Sequence, residues 1–116
     1  KVPNTLQEVF NIVSKHLLDQ GQKSIEFGMC QYRGSNGMKC AAGALIPDNE
    51  YNSSFETNLW GDLVEKGIVE NKFVDEIDQL QAIHDFGPSD PEECVSIWKT
   101  NLIEFAERHN LTHNIE

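Results

Sequence analysis

Cys30-Gln31-Tyr32-Arg33-Gly34-Ser35-Asn36-Gly37-Met38-Lys39-Cys40-Ala41-Ala42-Gly43-Ala44-Leu45-Ile46-Pro47-Asp48-Asn49-Glu50-Tyr51 is the stretch that amphipathic helices alone do not explain, and its reading decides the fold. It holds two of the three cysteines, an Asn-Gly pair, four consecutive small residues from Ala41 to Ala44, and Pro47. Just before it, Ile25, Phe27 and Met29 alternate with Glu26, Gly28 and Cys30, the rhythm of a strand with one covered face, running from Ser24 to Arg33. Asn36-Gly37 tolerates the positive φ angles of a tight turn, so the stretch predicts a β-hairpin in which Ser35 closes on Met38 and Cys40 falls opposite Arg33. That register keeps Cys30 and Cys40 apart; pairing them needs a longer, bulged loop from Arg33 to Gly37. From Cys40 to Leu45 the small side chains let a short buried helix lie close to a neighbouring backbone, and Pro47 disfavours helix at Ile46. Pro47-Asp48-Asn49 reads as a turn, and Tyr51 to Thr57 as a loop with one helical turn from Ser53.

Outward from this centre the chain reads as helix. Thr5-Leu6-Gln7-Glu8 is a capping box, Leu6, Val9, Phe10, Val13 and Leu17 form one apolar stripe, and Gly21 supplies a left-handed stop. His16 flanks that stripe. Asn58 is placed to cap a short helix carrying Leu59, Trp60, Leu63 and Val64, with Gly67 as its stop. A third helix is expected from Asn71, with Phe73, Ile77, Leu80 and His84 on one stripe, ended by Gly87-Pro88. Asp90-Pro91-Glu92-Glu93 combines a cap, a proline at the first helical position and an acidic first turn. The helix it opens runs to His109 with Asn110 as left-handed cap, and spans roughly 28 Å.

Nine Lys and Arg stand against nineteen Asp and Glu, a formal charge of -10. That field repels phosphate and favours a basic partner over nucleic acid. With 116 residues and a 39% hydrophobic content, the chain suffices for a single domain over 1–116 with one core. No run of about 18 apolar residues is present, and Lys1-Val2-Pro3-Asn4-Thr5 has no apolar signal core. Three cysteines without a close pair argue against a disulfide framework, and a cytoplasmic setting follows.

Four constellations could carry chemistry. His84-Asp85 sits on an inward stripe, where an imidazole serves as acid, base or ligand, or as a core histidine bonded to a carbonyl. Cys40 lies where strand passes into helix, and helix amides can activate a thiol; with His84 and Asp85 it would form a nucleophilic set, whereas a buried cysteine is simply a small hydrophobe. Cys30 and Cys40 could hold zinc only with two further ligands from His84, His16 or Cys94, and the spacing is not that of a zinc finger. His109 and His113 are weaker still, because they straddle a helix end. Tyr32, Arg33, Asp48, Tyr51 and Trp60, with the turn from Gly34 to Gly37, would make an exposed interaction patch unless the aromatics pack inward.

The pattern Cys30-x-Tyr32-Arg33-Gly34-x-x-Gly37-Met38-Lys39-Cys40-Ala41-x-Gly43-x-Leu45-Ile46-Pro47-Asp48, followed by Leu80-Gln81-x-Ile83-His84-Asp85, resembles a group of small uncharacterised bacterial and phage-type proteins. The resemblance runs from Leu6 to Phe105. It implies a cytoplasmic setting in a bacterium, or in an infected one, and carries no catalytic role.

Taken together, the expectation is an α+β domain, mainly α, with four principal helices packed around a short buried helix and one β-hairpin. The leading functional expectation is a small acidic, non-enzymatic interaction module, phage-encoded, without a cofactor. It binds a basic protein partner through the hairpin and the loop near Asp48. In one version the acidic surface imitates a nucleic-acid backbone. The alternative is a thiol or metal-dependent enzyme built on Cys40, Cys30 and His84.

Overall fold

Thr5 opens the first helix through its side chain: Oγ1 accepts the Glu8 N–H at 3.2 Å and donates to Glu8 Oε1 at 3.1 Å. The computed structural model describes residues 3–26, 29–34, 37–56 and 58–115, and over Ile25, Glu26, Met29 and Cys30 the backbone alone. Helix α1 spans Leu6–Gln20 and ends as expected on Gly21, whose φ of 73° returns its N–H to the Leu17 carbonyl. Helix α2 is Trp60–Glu65, α3 is Val74–Asp85 and α4 is Pro91–Arg108. Asp90 caps α4 by accepting the Glu93 N–H at 3.0 Å, and Asn110, at φ 57°, closes it while Leu111 N–H reaches the Ala106 carbonyl.

Two helix starts differ from the sequence reading. Asn58 does not cap α2; its side chain instead donates to the Ser54 carbonyl and accepts from Lys66 Nζ. The cap residue is Leu59, whose N–H is taken by the Asp62 carboxylate at 3.1 Å. Helix α3 begins at Val74, later than Asn71, because Phe73 sits in the left-handed region at φ 53°. A bulky residue there costs on the order of 1–3 kcal/mol, and packing of Phe73 against the core holds it in place.

Helices α1, α3 and α4 pack against one another, with α2 on α3. Phe10 of α1 stacks on Phe105 of α4 at 5.9 Å, and Leu17, Ile77, Leu80, Trp98 and Leu102 are fully buried around them. Each such side chain contributes roughly 1.5–3 kcal/mol by leaving water. None of the described helices is long and apolar enough to cross a membrane.

The α+β expectation is overturned: the fold is helical, and among the described residues there is no β-hairpin about Asn36-Gly37. Extended pairing among the described residues is limited to two rungs, Ile25 with Cys30 and Glu26 with Met29, which make no sheet layer. Ser35 and Asn36 of the expected turn lie outside the described residues, but neither Tyr32–Gly34 nor Met38–Cys40 on its flanks is strand.

Hydrogen-bond accounting gives the reason. The amides of Tyr32 and Arg33 go to the two carboxylate oxygens of Glu56, at 3.0 and 3.1 Å. Lys39 N–H goes to Gln20 Oε1 on α1 at 2.8 Å, and Ala42 N–H to Gln81 Oε1 on α3 at 2.9 Å. Side chains from distant elements take these four amides, while the Gly34 N–H reaches the Met38 carbonyl at 2.8 Å. The short buried helix shrinks to a single 3-10 turn, Gly43–Leu45, packed on α1. Gly43 is required there, since a Cβ would meet the Tyr32 carbonyl oxygen at 2.2 Å.

Candidate functional site

Arg33 shows how this irregular region is tied. Its Nη1 donates to the Gly43 carbonyl at 2.7 Å, its Nη2 to the Ile46 carbonyl at 2.6 Å and to Asp48 Oδ1 at 3.0 Å, and its guanidinium lies 5.0 Å from the Tyr51 ring centre. The fork thus holds the carbonyl that opens the 3-10 turn and the one just past its end. Glu56 faces it, accepting from Tyr51 Oη as well as from the two amides. Burial and that bond push the Tyr51 hydroxyl up to about 12. Tyr32 Oη donates to the Asn58 carbonyl at 2.6 Å, and burial pushes this hydroxyl up as well.

The patch expected from Tyr32, Arg33, Asp48, Tyr51 and Trp60 is therefore mostly internal. Tyr32 and Trp60 are 8% and 3% exposed, and Arg33 and Tyr51 are bound into the knot. Asp48 is the exposed member, held by Arg33 and, at 3.5 Å, by Lys39 Nζ.

His84 is wholly buried and stacked on Trp98 at 5.7 Å. Ser24 N–H donates to its Nε2 at 3.0 Å, so the ring proton sits on Nδ1 and is given to Asp85 Oδ1 at 2.9 Å. The same Asp85 oxygen accepts from Gln81 Nε2 at 2.7 Å, and Gln81 holds the Ala42 amide. One chain of bonds thus joins Ala42, Gln81, Asp85, His84 and Ser24. Both imidazole nitrogens are engaged by the fold. Cys40 itself is 2% exposed, and its sulfur accepts the Gly43 N–H at 3.3 Å.

The other candidates scatter. His16 Nε2 donates to the Lys39 carbonyl at 2.9 Å, and burial lowers its pKa. Cys94 is fully buried beneath Gly87, and burial raises its thiol pKa. His109 meets the Phe105 ring at 4.3 Å, while His113 lies in the segment beyond α4. The side chain of Cys30 lies outside the described residues. Among the described residues no three His, Cys, Asp or Glu side chains are grouped to hold a metal ion.

What the fold does bring together is a groove of about 580 Å³ between the Tyr32–Asn58 region and helices α2 and α3. Tyr32, Cys40, Trp60 and Asp85 all border it, so four of the sequence candidates converge here. Four residues that the sequence reading passed over give the groove its character. Asp62 and Glu65 line it from α2, Asp78 from α3, and Phe86 stands at its edge, 82% exposed. Leu59, 76% exposed, borders it on the α2 side. Among the described residues no Lys or Arg pairs with Asp62, Glu65 or Asp78, and Lys66, next to Glu65 in the chain, is bonded to Asn58 Oδ1. Asp78 is raised in pKa, first by desolvation and then by repulsion from Asp75. A signal was present in the sequence: Asp78, Gln81 and Asp85 recur at helical spacing, as do Asp62 and Glu65.

Comparison with family models, with curated proteins and with solved structures finds no match for this chain.

Proposed function

We propose that the chain is a small acidic, non-enzymatic interaction module whose groove takes a basic, partly apolar segment of a protein partner. The cytoplasmic, phage-type setting implied by the Cys30–Asp48 pattern belongs to this reading. The observation that carries it is the groove lining: Asp62, Glu65 and Asp78, which no Lys or Arg pairs among the described residues, between the exposed Leu59 and Phe86. Asp78 is held where desolvation and Asp75 oppose its charge, a cost that an arriving Lys or Arg removes. Apolar side chains of the same segment would cover Leu59 and Phe86, which otherwise face water.

A short lysine-leucine peptide, titrated by calorimetry against the intact protein, tests this. Binding should weaken with added salt, since exposed charges are screened beyond about 8 Å at physiological ionic strength. Replacing Glu65→Gln together with Asp78→Asn removes two ion pairs worth about 0.2–1 kcal/mol each, a loss of roughly two- to thirtyfold in affinity. Equal binding by a glutamate-leucine peptide, or unchanged affinity in the double variant, would sink the reading. Rapid modification of Cys40 by a thiol reagent in the native protein would instead favour the enzyme alternative.

A further inference from the structure

A second cavity, of about 550 Å³, lies on the opposite chemical footing: between α1, α4 and residues 112–115, it is lined by lysines and amides. We infer that it is a site for a small organic carboxylate, one charged group on a short apolar body. Its volume falls within the roughly 300–1,000 Å³ of small-molecule sites. Helix α1 contributes Asn11, Ser14, Lys15 and Leu18, which share a face by their spacing, and α4 contributes Lys99.

The charge arrangement sets this cavity apart. In a chain of net charge -10, no Asp or Glu borders it among the described residues. Lys15 shares its charge with Asp19 at 2.8 Å, but Lys99 has no ion pair among the described residues and no carboxylate at positions 95, 96, 102 or 103 on its own helix. Lys99 is therefore the primary cation and Lys15 the secondary one. Screening over about 8 Å removes most of the repulsion from the remote acidic groove.

The neutral donors are oriented too. Gln7 Nε2 donates to Asn11 Oδ1 at 2.8 Å, so the donor that Asn11 has left is Nδ2. Ile115 N–H donates to His113 Nδ1 at 3.3 Å, which puts the ring proton on Nε2. The closing segment is latched: Gln7 donates to the Thr112 carbonyl at 3.0 Å and accepts the Thr112 amide at 2.9 Å. Phe10, Leu18 and Ile115 supply the apolar surface for the body of the ligand.

Benzoate, benzamide and inorganic phosphate, each titrated into the ¹⁵N-labelled full chain, separate the parts of this inference. Benzoate should give saturable shifts of the amides of Asn11, Ser14, Lys15, Lys99 and 112–115. Benzamide, of the same shape without the charge, and phosphate, with charge but no apolar body, should each bind at least about tenfold more weakly. Lys99→Gln should cost benzoate about tenfold and Lys15→Gln less, both with an otherwise unchanged amide spectrum. Absence of saturable shifts up to about 10 mM benzoate, a benzamide or phosphate affinity matching that of benzoate, or full affinity in K99Q would each overturn the site.

Discussion

The three packed helices and the Tyr32–Asn58 knot are held by different forces. In α1, α3 and α4 the sequence periodicity itself makes an apolar stripe, and the stripes meet. In the described part of the knot there is little regular structure, and the amides of Tyr32, Arg33, Lys39 and Ala42 and the carbonyls of Gly43 and Ile46 are held by the side chains of Glu56, Gln20, Gln81 and Arg33. The first arrangement tolerates small changes of shape, because many contacts share the load; the second depends on single atoms with fixed partners.

Five substitutions sharpen that contrast, and the largest effect lies in the helices. Phe105→Ala removes the ring stacked on Phe10 and should cost about 3–5 kcal/mol, lowering the urea midpoint of the whole molecule in one transition. Glu56→Ala leaves two amides and the Tyr51 hydroxyl without their acceptor and should cost about 2–3 kcal/mol. Its diagnostic is local: hydrogen exchange at Tyr32 and Arg33 accelerates most, while protection at Leu80 and Leu102 falls only by the change in global stability. If E56A keeps those two amides protected, the description of the knot is wrong. Arg33→Lys keeps the charge but loses the fork across Gly43 and Ile46, for about 1–2 kcal/mol by denaturant titration.

Two smaller effects are read through pH. Burial lowers the His16 pKa below its ordinary 6.5, so the unfolded chain takes up the proton first. His16 therefore contributes stability present above 6.5 that is lost as pH falls through and below that value, and His16→Gln should flatten the slope of stability against pH in this window. Asp78 has the opposite sign: its raised pKa means that the carboxylate disfavours the fold at neutral pH and that the penalty fades as pH falls toward 3.8. Asp78→Asn should then stabilise the protein slightly at neutral pH, match the native protein below 3.8, and weaken the basic peptide. A neutral or destabilising effect at pH 7 would detach Asp78 from the groove's chemistry.

How much of this was legible follows the range of the interactions. Thr5, Gly21, Asp90-Pro91 and Asn110 act on atoms within about four residues of themselves, so the ends of α1 and α4 can be read directly from the letters. Glu56 acts on Tyr32 24 residues away and Gln81 on Ala42 39 residues away, and nothing local announces either. A sequence reader therefore sees an alternating stretch and an Asn-Gly pair and writes a hairpin, because the competing acceptors are invisible. The same distance effect misled the site: Tyr32, Arg33 and Trp60 are interface types by composition, yet two are buried and the third ties carbonyls. Asp78 and Asp85 lay in plain helical spacing, but only packing decides that their face is left open.

The chain of bonds from Ala42 through Gln81, Asp85 and His84 to Ser24 makes the irregular middle of the chain depend on one helix. Its anchors Gln81, His84 and Asp85 stand on α3, so the amides of Ala42 and Ser24 keep their acceptors only while that rod is in place. Residues that face the groove without joining this chain, Glu65 and Asp78 among them, are thereby released from any duty to the scaffold. Such a surface can change the company it keeps while the rods beneath it stay as they are.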